Sequence, residues 1–310
     1  MDDILYVVNN SDNVKINEEK LKKFASKIDF EKGIHWSKTN QTFQKLSSEE
    51  KIIYVFIIES LNFCFWSSYN WLVKYNGETY RGSDSLFYSM TKAVENKTII
   101  LDINELLNLS LEQFKNVFMS NNILPDMIKE RYNSFRNTIE SISKLGLKKL
   151  INDLYNIKSE NELEKYICNN FKSYDDKCEY KGKMIHFNKR CRLLIEDLYY
   201  TNKTIRENTN ALETMLGCAD YRIPQYLHDI GILTYSEELE KTIINKELIS
   251  YGDNKEIEIR AATLYVLEKL KDIVNATRPN VTTAEIDNSV WQMSRTNKTD
   301  FIHHTKSIYY

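Results

Sequence analysis

Proline and glycine are scarce in this chain: its 310 residues include only three prolines and eight glycines. Both residue types interrupt helices, so their scarcity leaves few positions where a helix must end. Hydrophobic residues make up 42% of the chain and charged residues 28%, a composition typical of globular proteins that excludes a disordered chain. The composition therefore predicts a folded, mainly helical protein.

Cysteine is also infrequent, and the five cysteines follow no pattern. They form no Cys-x-x-Cys pair, and a chain of this length does not need disulfides to stabilise its core, so we interpret them as free thiols in a reducing compartment. No apolar run reaches the roughly 18 residues of a membrane span, and the acidic start "MDDILYVVNN" does not resemble a secretory signal. We expect a cytoplasmic protein with no membrane partner.

The chain has no block of basic residues. Its 42 Lys and Arg are interspersed among 44 Asp and Glu, and the net charge is -2. Proteins that bind nucleic acid polymers usually carry a cationic surface, so a polymer partner is not expected. A small anionic ligand needs only one or two placed cations and is compatible with this charge balance.

Several catalytic signatures are missing as well. The five histidines occur in no metal-ligand spacing such as His-Glu-x-x-His, and there is neither a glycine-rich phosphate loop nor a Gly-x-Ser-x-Gly motif. The sequence therefore predicts no metal ion and no cofactor.

The patterns that the sequence does contain indicate one helical domain. Residues 1–47 are polar and weakly periodic, and their role is left open. From Ser48 to Tyr310 helical patterns follow one another, which predicts a single helical domain over 48–310. Asn76-Gly77 between β-prone flanks predicts a short hairpin, and the segment around Gly182 predicts a second one.

Asp220 is a first candidate for chemistry. It lies in "GCADYRIPQ", just before a predicted helix that contains Pro224 in its first turn. The residue either caps this helix or lies in a surface loop; alternatively, amide N–H groups and the nearby Arg222 hold it ionised so that it orients a ligand.

Asp287 is a second candidate. A capping box of Thr282 and Glu285 predicts that the last helix begins there, with Asp287 in its first turns and Trp291 on the same face. Asp287 either faces solvent or lies at the edge of the apolar stripe of this helix, where a carboxylate is unusual.

Lys189 and Arg190 are the third candidate group. They begin the predicted apolar helix of "NKRCRLLIEDL", where positive charges oppose the helix dipole. They are either a solvated pair or part of a phosphate or carboxylate site at this helix start.

Five segments in order, "ESLNFCFWSS", "NKRCRLL", "GCADYRIPQYL", "ELISYGDNKEIEIRAATLY" and the terminal "SIYY", resemble the queuosine salvage protein family. The resemblance runs from about Ser48 to Tyr310. It implies a fold similar to that of the helical DNA glycosylases. It also implies metal-independent hydrolysis of the N-glycosidic bond of queuosine 5′-phosphate, with release of the base queuine.

The resemblance also implies roles for the carboxylates. By motif, the family residues that contact the base and the ribose correspond to Asp220 and to Asp287 ahead of Trp291. Cleavage of a ribosyl bond passes through an oxocarbenium-like transition state. We assign Asp287 to the ribosyl side, where it stabilises the cation or activates water, and Asp220 to the N–H donors of the base.

The chain departs from the family pattern next to both carboxylates. Cys218 lies where relatives often have Phe, Gln292 where they often have Asp, and Asn288 where some have Tyr, so these substrate contacts differ here. The candidates for the 5′-phosphate are Lys189, Arg190, Tyr309 and Tyr310. Phe65 and Trp66 are expected to support the wall of the pocket.

Two other functions are compatible with the sequence. A glycosylase acting on DNA or tRNA would need a cationic groove, which the charge balance disfavours. A binder of a modified nucleotide or base without catalytic activity is the other alternative, which the absence of a carboxylate at Gln292 leaves open.

Overall fold

Helices form most of the chain, as the shortage of proline and glycine predicts. The computed structural model describes residues 1–28, 35–68, 70–296 and 299–310. The helices are α1 (Asp2–Asn9), α2 (Glu18–Ala25), α3 (Trp36–Thr39), α4 (Gln41–Gln44), α5 (Ser48–Leu61), α6 (Ser83–Glu95), α7 (Ile103–Leu107), α8 (Leu111–Phe118), α9 (Ile128–Leu145), α10 (Leu147–Asn156), α11 (Glu160–Asn170), α12 (Lys189–Thr201), α13 (Lys203–Asn208), α14 (Ala211–Thr214), α15 (Arg222–Asp229), α16 (Glu237–Ile244), α17 (Asn254–Asn275) and α18 (Thr283–Arg295).

In the described part of the chain, six short strands form three antiparallel pairs. The strands are β1 (Val14–Ile16), β2 (Val73–Tyr75), β3 (Glu78–Tyr80), β4 (Lys177–Tyr180), β5 (Lys183–His186) and β6 (Leu233–Tyr235). Both predicted hairpins are confirmed: β2 pairs with β3, and β4 pairs with β5, each antiparallel. Asn76 and Gly77 have φ of 47° and 87°, the positive values that a type I′ turn requires at both positions.

Helix α5 is at the centre of the largest core cluster. Ser47 and Glu50 form a capping box at its start, and every residue from Ile52 to Leu61 is buried. Helices α9 and α12 pack against it, which explains why its apolar residues surround the helix rather than form one stripe. The prediction of a buried central helix is confirmed.

Two buried arginines bind the C-terminal end of α5 and the residues around it. Arg131 on α9 donates to the carbonyls of Leu61, Phe63 and Cys64. Arg190 on α12 donates to the carbonyls of Ser60 and Ser173. Both guanidinium groups lie over the Phe63 ring, at 4.5 Å and 5.1 Å from its centroid. Phe63 is therefore a core residue.

The last residues of the chain also contact this region. The Tyr310 carbonyl accepts a hydrogen bond from Cys64 N at 2.8 Å, and Trp66 Nε1 donates to the Thr305 carbonyl at 3.0 Å. The Trp66 ring stacks on His304 with centroids 4.2 Å apart. Trp66 therefore supports the fold by stacking on a residue of the chain itself.

The N-terminal residues pack against the C-terminal third. Strand β1 pairs with β6, and α1 and α2 both contact α17. The buried Glu258 of α17 accepts hydrogen bonds from Ser11 Oγ at 2.8 Å and Asn13 N at 2.6 Å. Whether residue 48 is a domain boundary stays a prediction, but these contacts bind the first strand and helices to α17 and β6.

Helices α15, α17 and α18 pack together and position the candidate carboxylates. Ile223 and Leu227 of α15 and Val290 of α18 are buried in one core cluster with apolar residues of α17 such as Val266 and Leu270. The predicted capping box at the start of α18 is confirmed, since Glu285 N donates to Thr282 Oγ1 and Thr282 N to Glu285 Oε2. In the part of the chain that the structure describes, no helix has both the length and the apolar character of a membrane span.

Candidate active site

Asp287 lies where α18 meets the loop that precedes α15. Its Oδ2 accepts a hydrogen bond from the backbone N–H of Cys218 at 2.5 Å. The residue is half-buried, and Ile286 and Val290 beside it are fully buried. Asp287 therefore lies at the edge of the apolar stripe with its carboxylate directed toward the loop, and not toward solvent alone.

Asp220 caps α15. Its Oδ1 accepts hydrogen bonds from Arg222 N at 2.8 Å and Ile223 N at 3.1 Å, and only 7% of the residue is exposed. Asp220 thus satisfies two amides at the start of α15, as a capping side chain does, although it is not the N-cap residue itself. Within the described ranges no donor bonds its Oδ2, so this oxygen has capacity to accept from a ligand. Capping and ligand binding are compatible because they use different oxygens.

The environment of Asp287 raises its pKa to about 7. Burial is the largest cause, and the hydrogen bond from Cys218 N opposes it. The Asp220 charge raises the pKa further, whereas the cations of Lys189 and Arg192 lower it. Near neutral pH this carboxyl group is therefore present in both protonation states, as a group that exchanges protons during catalysis requires.

Helix α12 presents charged residues to Asp287. Arg192 and Glu196 follow Lys189 by three and by seven residues. This spacing places all three side chains on one helix face. Burial raises the pKa of Glu196 to about 8, and the Asp287 charge contributes to this shift. Arg192 and Glu196 were not among the predicted site residues, although their spacing from Lys189 indicates a shared helix face.

Lys189 lies between two acidic groups. It is only 8% exposed, and its charge acts on Asp287 and on Glu59 of α5. Burial and the neighbouring Asp197 raise the pKa of Glu59 well above its usual range. Among the described residues, no carboxylate lies within ion-pair distance of the Lys189 ammonium group. Lys189 is therefore the best placed of the predicted cations to meet an anionic group at this site.

The other predicted phosphate ligands are engaged elsewhere. Arg190 is 1% exposed, and its guanidinium binds backbone carbonyls. The Tyr310 ring is buried over Arg260 at 4.2 Å, and the Tyr309 ring packs 5.0 Å from that of Tyr251. Their role in phosphate binding stays a prediction, and the geometry favours Lys189 over all three.

The remaining predicted substrate-binding residues differ in how far they are buried. Cys218 is buried and its thiol donates to the Lys189 carbonyl at 3.8 Å. Arg222 is half-buried, with its guanidinium 3.3 Å from Gln225 Oε1. Trp291 is half-buried beneath Arg295, whereas Asn288 and Gln292 are exposed on α18. The structure thus brings together Asp287, Asp220, Cys218 and Lys189, and leaves Asn288 and Gln292 facing solvent.

Gly217 allows the loop to approach α17 and α18. A Cβ atom at this position would lie 2.5 Å from Leu267 Cδ1 and 2.9 Å from Asp287 Oδ2. Both distances are too short for any side chain. The glycine therefore allows this close approach, since a side chain here would displace Leu267 Cδ1 and Asp287 Oδ2.

Replacement of Gly217 by alanine should displace the loop. We expect a loss of about 1–3 kcal/mol in the free energy of unfolding, because overpacking forces neighbouring atoms to move. Urea denaturation measures this loss. Gly182→Ala is the matched control, since its Cβ would meet nothing within 4 Å and only its positive φ would be strained. Equal losses in both variants would contradict the packing argument.

Together these groups can carry out proton transfer and charge stabilisation. Asp287 offers a carboxylate with a pKa near neutrality, Asp220 an oxygen that no donor of the described residues bonds, and Lys189 a cation. Such a set can stabilise a developing positive charge, activate water and bind N–H donors. Within the described ranges no group of three His, Cys, Asp or Glu side chains is arranged to hold a metal ion.

Comparisons with known proteins agree on one family. A family model described as queuosine salvage protein matches residues 42–310. A mouse protein named queuosine 5′-phosphate N-glycosylase/hydrolase is 27% identical over 296 residues, covering 89% of this chain and 86% of its own. Proteins of the same name from Sphaerobacter thermophilus and Dictyostelium discoideum are 26% and 28% identical, covering 89% and 81% of this chain and 84% and 73% of their own.

Proposed function

We propose that this chain, which belongs to the queuosine salvage protein family, hydrolyses the N-glycosidic bond of queuosine 5′-phosphate and releases queuine. The observation that carries the proposal is the meeting of Asp287 and Asp220 in one largely buried site inside the matched region. These are the two carboxylates that the family resemblance assigns to the ribose and to the base.

In the proposed reaction, water attacks the anomeric carbon as the bond to the base nitrogen breaks. The bonding electron pair leaves with the base, and positive charge develops on the ribosyl ring. The Asp287 carboxylate stabilises this charge and accepts the proton of the attacking water. The departing base takes up a proton at the ring nitrogen of the broken bond, so the products are ribose 5-phosphate and queuine.

Asp220 is proposed to hold the base. Its Oδ1 is occupied by the α15 amides, whereas its Oδ2 can accept from N–H groups of a 7-deazaguanine. Lys189 is proposed to meet the phosphate or the charge that develops on the base. Its charge acts on Asp287, and the residue is only 8% exposed.

Three further features of the proposed function concern metal ions, the form of the substrate and the location of the protein. We propose that hydrolysis needs no metal ion or cofactor, that the substrate is the free nucleotide, and that the protein acts in the cytoplasm. The balance of 42 cationic and 44 acidic residues supports a small substrate over a nucleic acid polymer.

One assay tests the proposal. The purified protein is incubated separately with queuosine 5′-phosphate, queuosine and a queuosine-containing tRNA, and free queuine is followed by chromatography. We expect release from the monophosphate first, with EDTA-treated protein equally active. Release from tRNA alone would indicate a polymer glycosylase, and binding of the nucleotide without release would indicate a binder.

Replacement of Asp220 by asparagine should weaken base recognition. The change removes a charged acceptor, which contributes about 1.5–3 kcal/mol to a hydrogen bond, so the affinity for queuine should fall by about 10- to 100-fold. It also removes a like charge that raises the pKa of Asp287, so the rise of rate with pH should move to lower pH. Calorimetric titration with queuine and a pH–rate profile measure the two effects, and unchanged affinity would contradict the assignment.

A further inference from the structure

The peptide group between Gly217 and Cys218 connects two charged side chains. Its N–H, on Cys218, donates to Asp287 Oδ2 at 2.5 Å. Its carbonyl, on Gly217, accepts from Arg192 Nη1 at 3.1 Å. The same planar unit is therefore bonded by a cation at one end and by a carboxylate at the other.

Arg192 is itself held in place. The residue is 2% exposed, and its Nε donates to Glu164 Oε2 at 3.3 Å. The other Glu164 oxygen accepts from Asn188 Nδ2 at 2.6 Å, directly before α12. The guanidinium fork thus bonds Glu164 of α11 through Nε and the Gly217 carbonyl through Nη1. A single ammonium group cannot reproduce this arrangement.

This arrangement has a direct electrostatic consequence. A cation on a peptide carbonyl polarises the peptide unit and strengthens its N–H as a donor, because hydrogen bonds in a chain reinforce one another at low dielectric. The stronger donor favours the ionised form of Asp287, and the Arg192 charge favours it as well. Lys189 acts in the same direction, whereas Asp220 and Glu196 oppose it.

We infer that Arg192 is a positioning residue that acts on Asp287 through the Gly217–Cys218 peptide group. It fixes the direction of the Asp287 carboxylate and favours its ionised form, without contacting the substrate. The part of this inference that concerns reaction rates rests on the proposed function, whereas the part that concerns the protonation of Asp287 does not.

The test replaces Arg192 by glutamine and by lysine. In the protein labelled with aspartate ¹³Cγ, the Asp287 resonance is identified by its loss in Asp287→Asn, and its titration is followed by NMR. We expect its pKa to rise by about one unit in Arg192→Gln and by less in Arg192→Lys, which keeps the charge but loses the fork. Arg206→Gln on α13, where Arg206 is exposed, is the control and should leave the titration unchanged.

The same variants are then compared in hydrolysis. A rise of one unit in the pKa of the active carboxylate should lower the rate of Arg192→Gln about tenfold at pH 6 and hardly at pH 9. A purely structural role would lower the rate equally at all pH values. A folded Arg192→Gln with an unchanged Asp287 titration would overturn the inference.

The two proposals can fail separately. If the wild-type protein releases no queuine, the proposed function fails, and the NMR titration still decides whether Arg192 acts on Asp287. If Arg192→Gln does not fold, the comparison of Arg192→Lys with wild type decides the inference, since loss of the fork alone should raise the Asp287 pKa.

Discussion

Asp287→Asn is expected to lower the hydrolysis of queuosine 5′-phosphate by about 10³-fold, because a positioned acid or base typically contributes 10²- to 10⁴-fold. The amide keeps the size of the side chain but can neither carry the negative charge that stabilises a ribosyl cation nor accept a proton from water. Substrate binding should be largely preserved, since Asp220 and Lys189 remain. Queuine release followed by chromatography measures the rate, and calorimetric titration measures the binding.

The control for this variant is Asp272→Asn, an exposed carboxylate near the end of α17. It should retain the wild-type rate. Stability is measured in parallel. If Asp287→Asn remains folded under the assay conditions, its loss of activity is not caused by unfolding. Wild-type rates in a folded Asp287→Asn would refute the role of this carboxylate.

The difference in stability between Asp287→Asn and the wild type should change with pH in a definite direction. The pKa of Asp287 is raised from 3.8 to about 7 in the fold, so the group contributes stability when protonated, below the unfolded pKa, and loses that contribution as pH rises through 7. Asparagine stays neutral at every pH. Asp287→Asn should therefore be at least as stable as the wild type at pH 8, as expected where function requires a destabilising group.

Arg260→Met is expected to lower the free energy of unfolding by about 3–5 kcal/mol, because removal of one partner from a buried ion cluster leaves uncompensated charges. Arg260 bonds Asp176 Oδ2 at 2.5 Å and Glu256 Oε1 at 3.2 Å, and all three residues are at most 1% exposed. Its guanidinium also lies 4.0 Å and 4.2 Å from the ring centroids of Phe187 and Tyr310.

This cluster also reaches the candidate site. Arg260 Nε donates to the carbonyl of Ala219, next to Asp220, at 3.4 Å. Urea denaturation of Arg260→Met measures the loss of stability, with Arg206→Met at an exposed position as the control. A loss below about 1 kcal/mol, the range of exposed ion pairs, would contradict a buried ionic cluster at this position.

Local features of this fold were predictable from the sequence. The capping box of Thr282 and Glu285 indicates the start of α18, and Asn76-Gly77 indicates the turn between β2 and β3. The buried character of α5 follows from its continuous apolar residues. These features depend on residues within a few positions of one another, which is why pattern and turn chemistry predict them.

The candidate site was predictable only in part. Asp220 and Asp287 were identified from their motifs, but Arg192 and Glu196 were not, because charged residues on a helix most often face solvent. The spacing of these charges from Lys189 marks one face of α12, and nothing local indicates that this face turns toward Asp287. The packing of α12 beside the loop before α15 decides that direction.

The amino-acid sequence alone was thus sufficient to indicate the helical fold class, the start of α18, the family motifs and the two carboxylates of the candidate site. The tertiary structure alone decided which groups meet: Cys218 N and Asp287 Oδ2 are joined across 69 residues of chain. It also decided that Trp66 stacks on His304 and that the Arg190 guanidinium binds carbonyls of the chain. The physical reason is that burial, and with it the pKa and the partners of a polar group, depends on distant segments that pack around it.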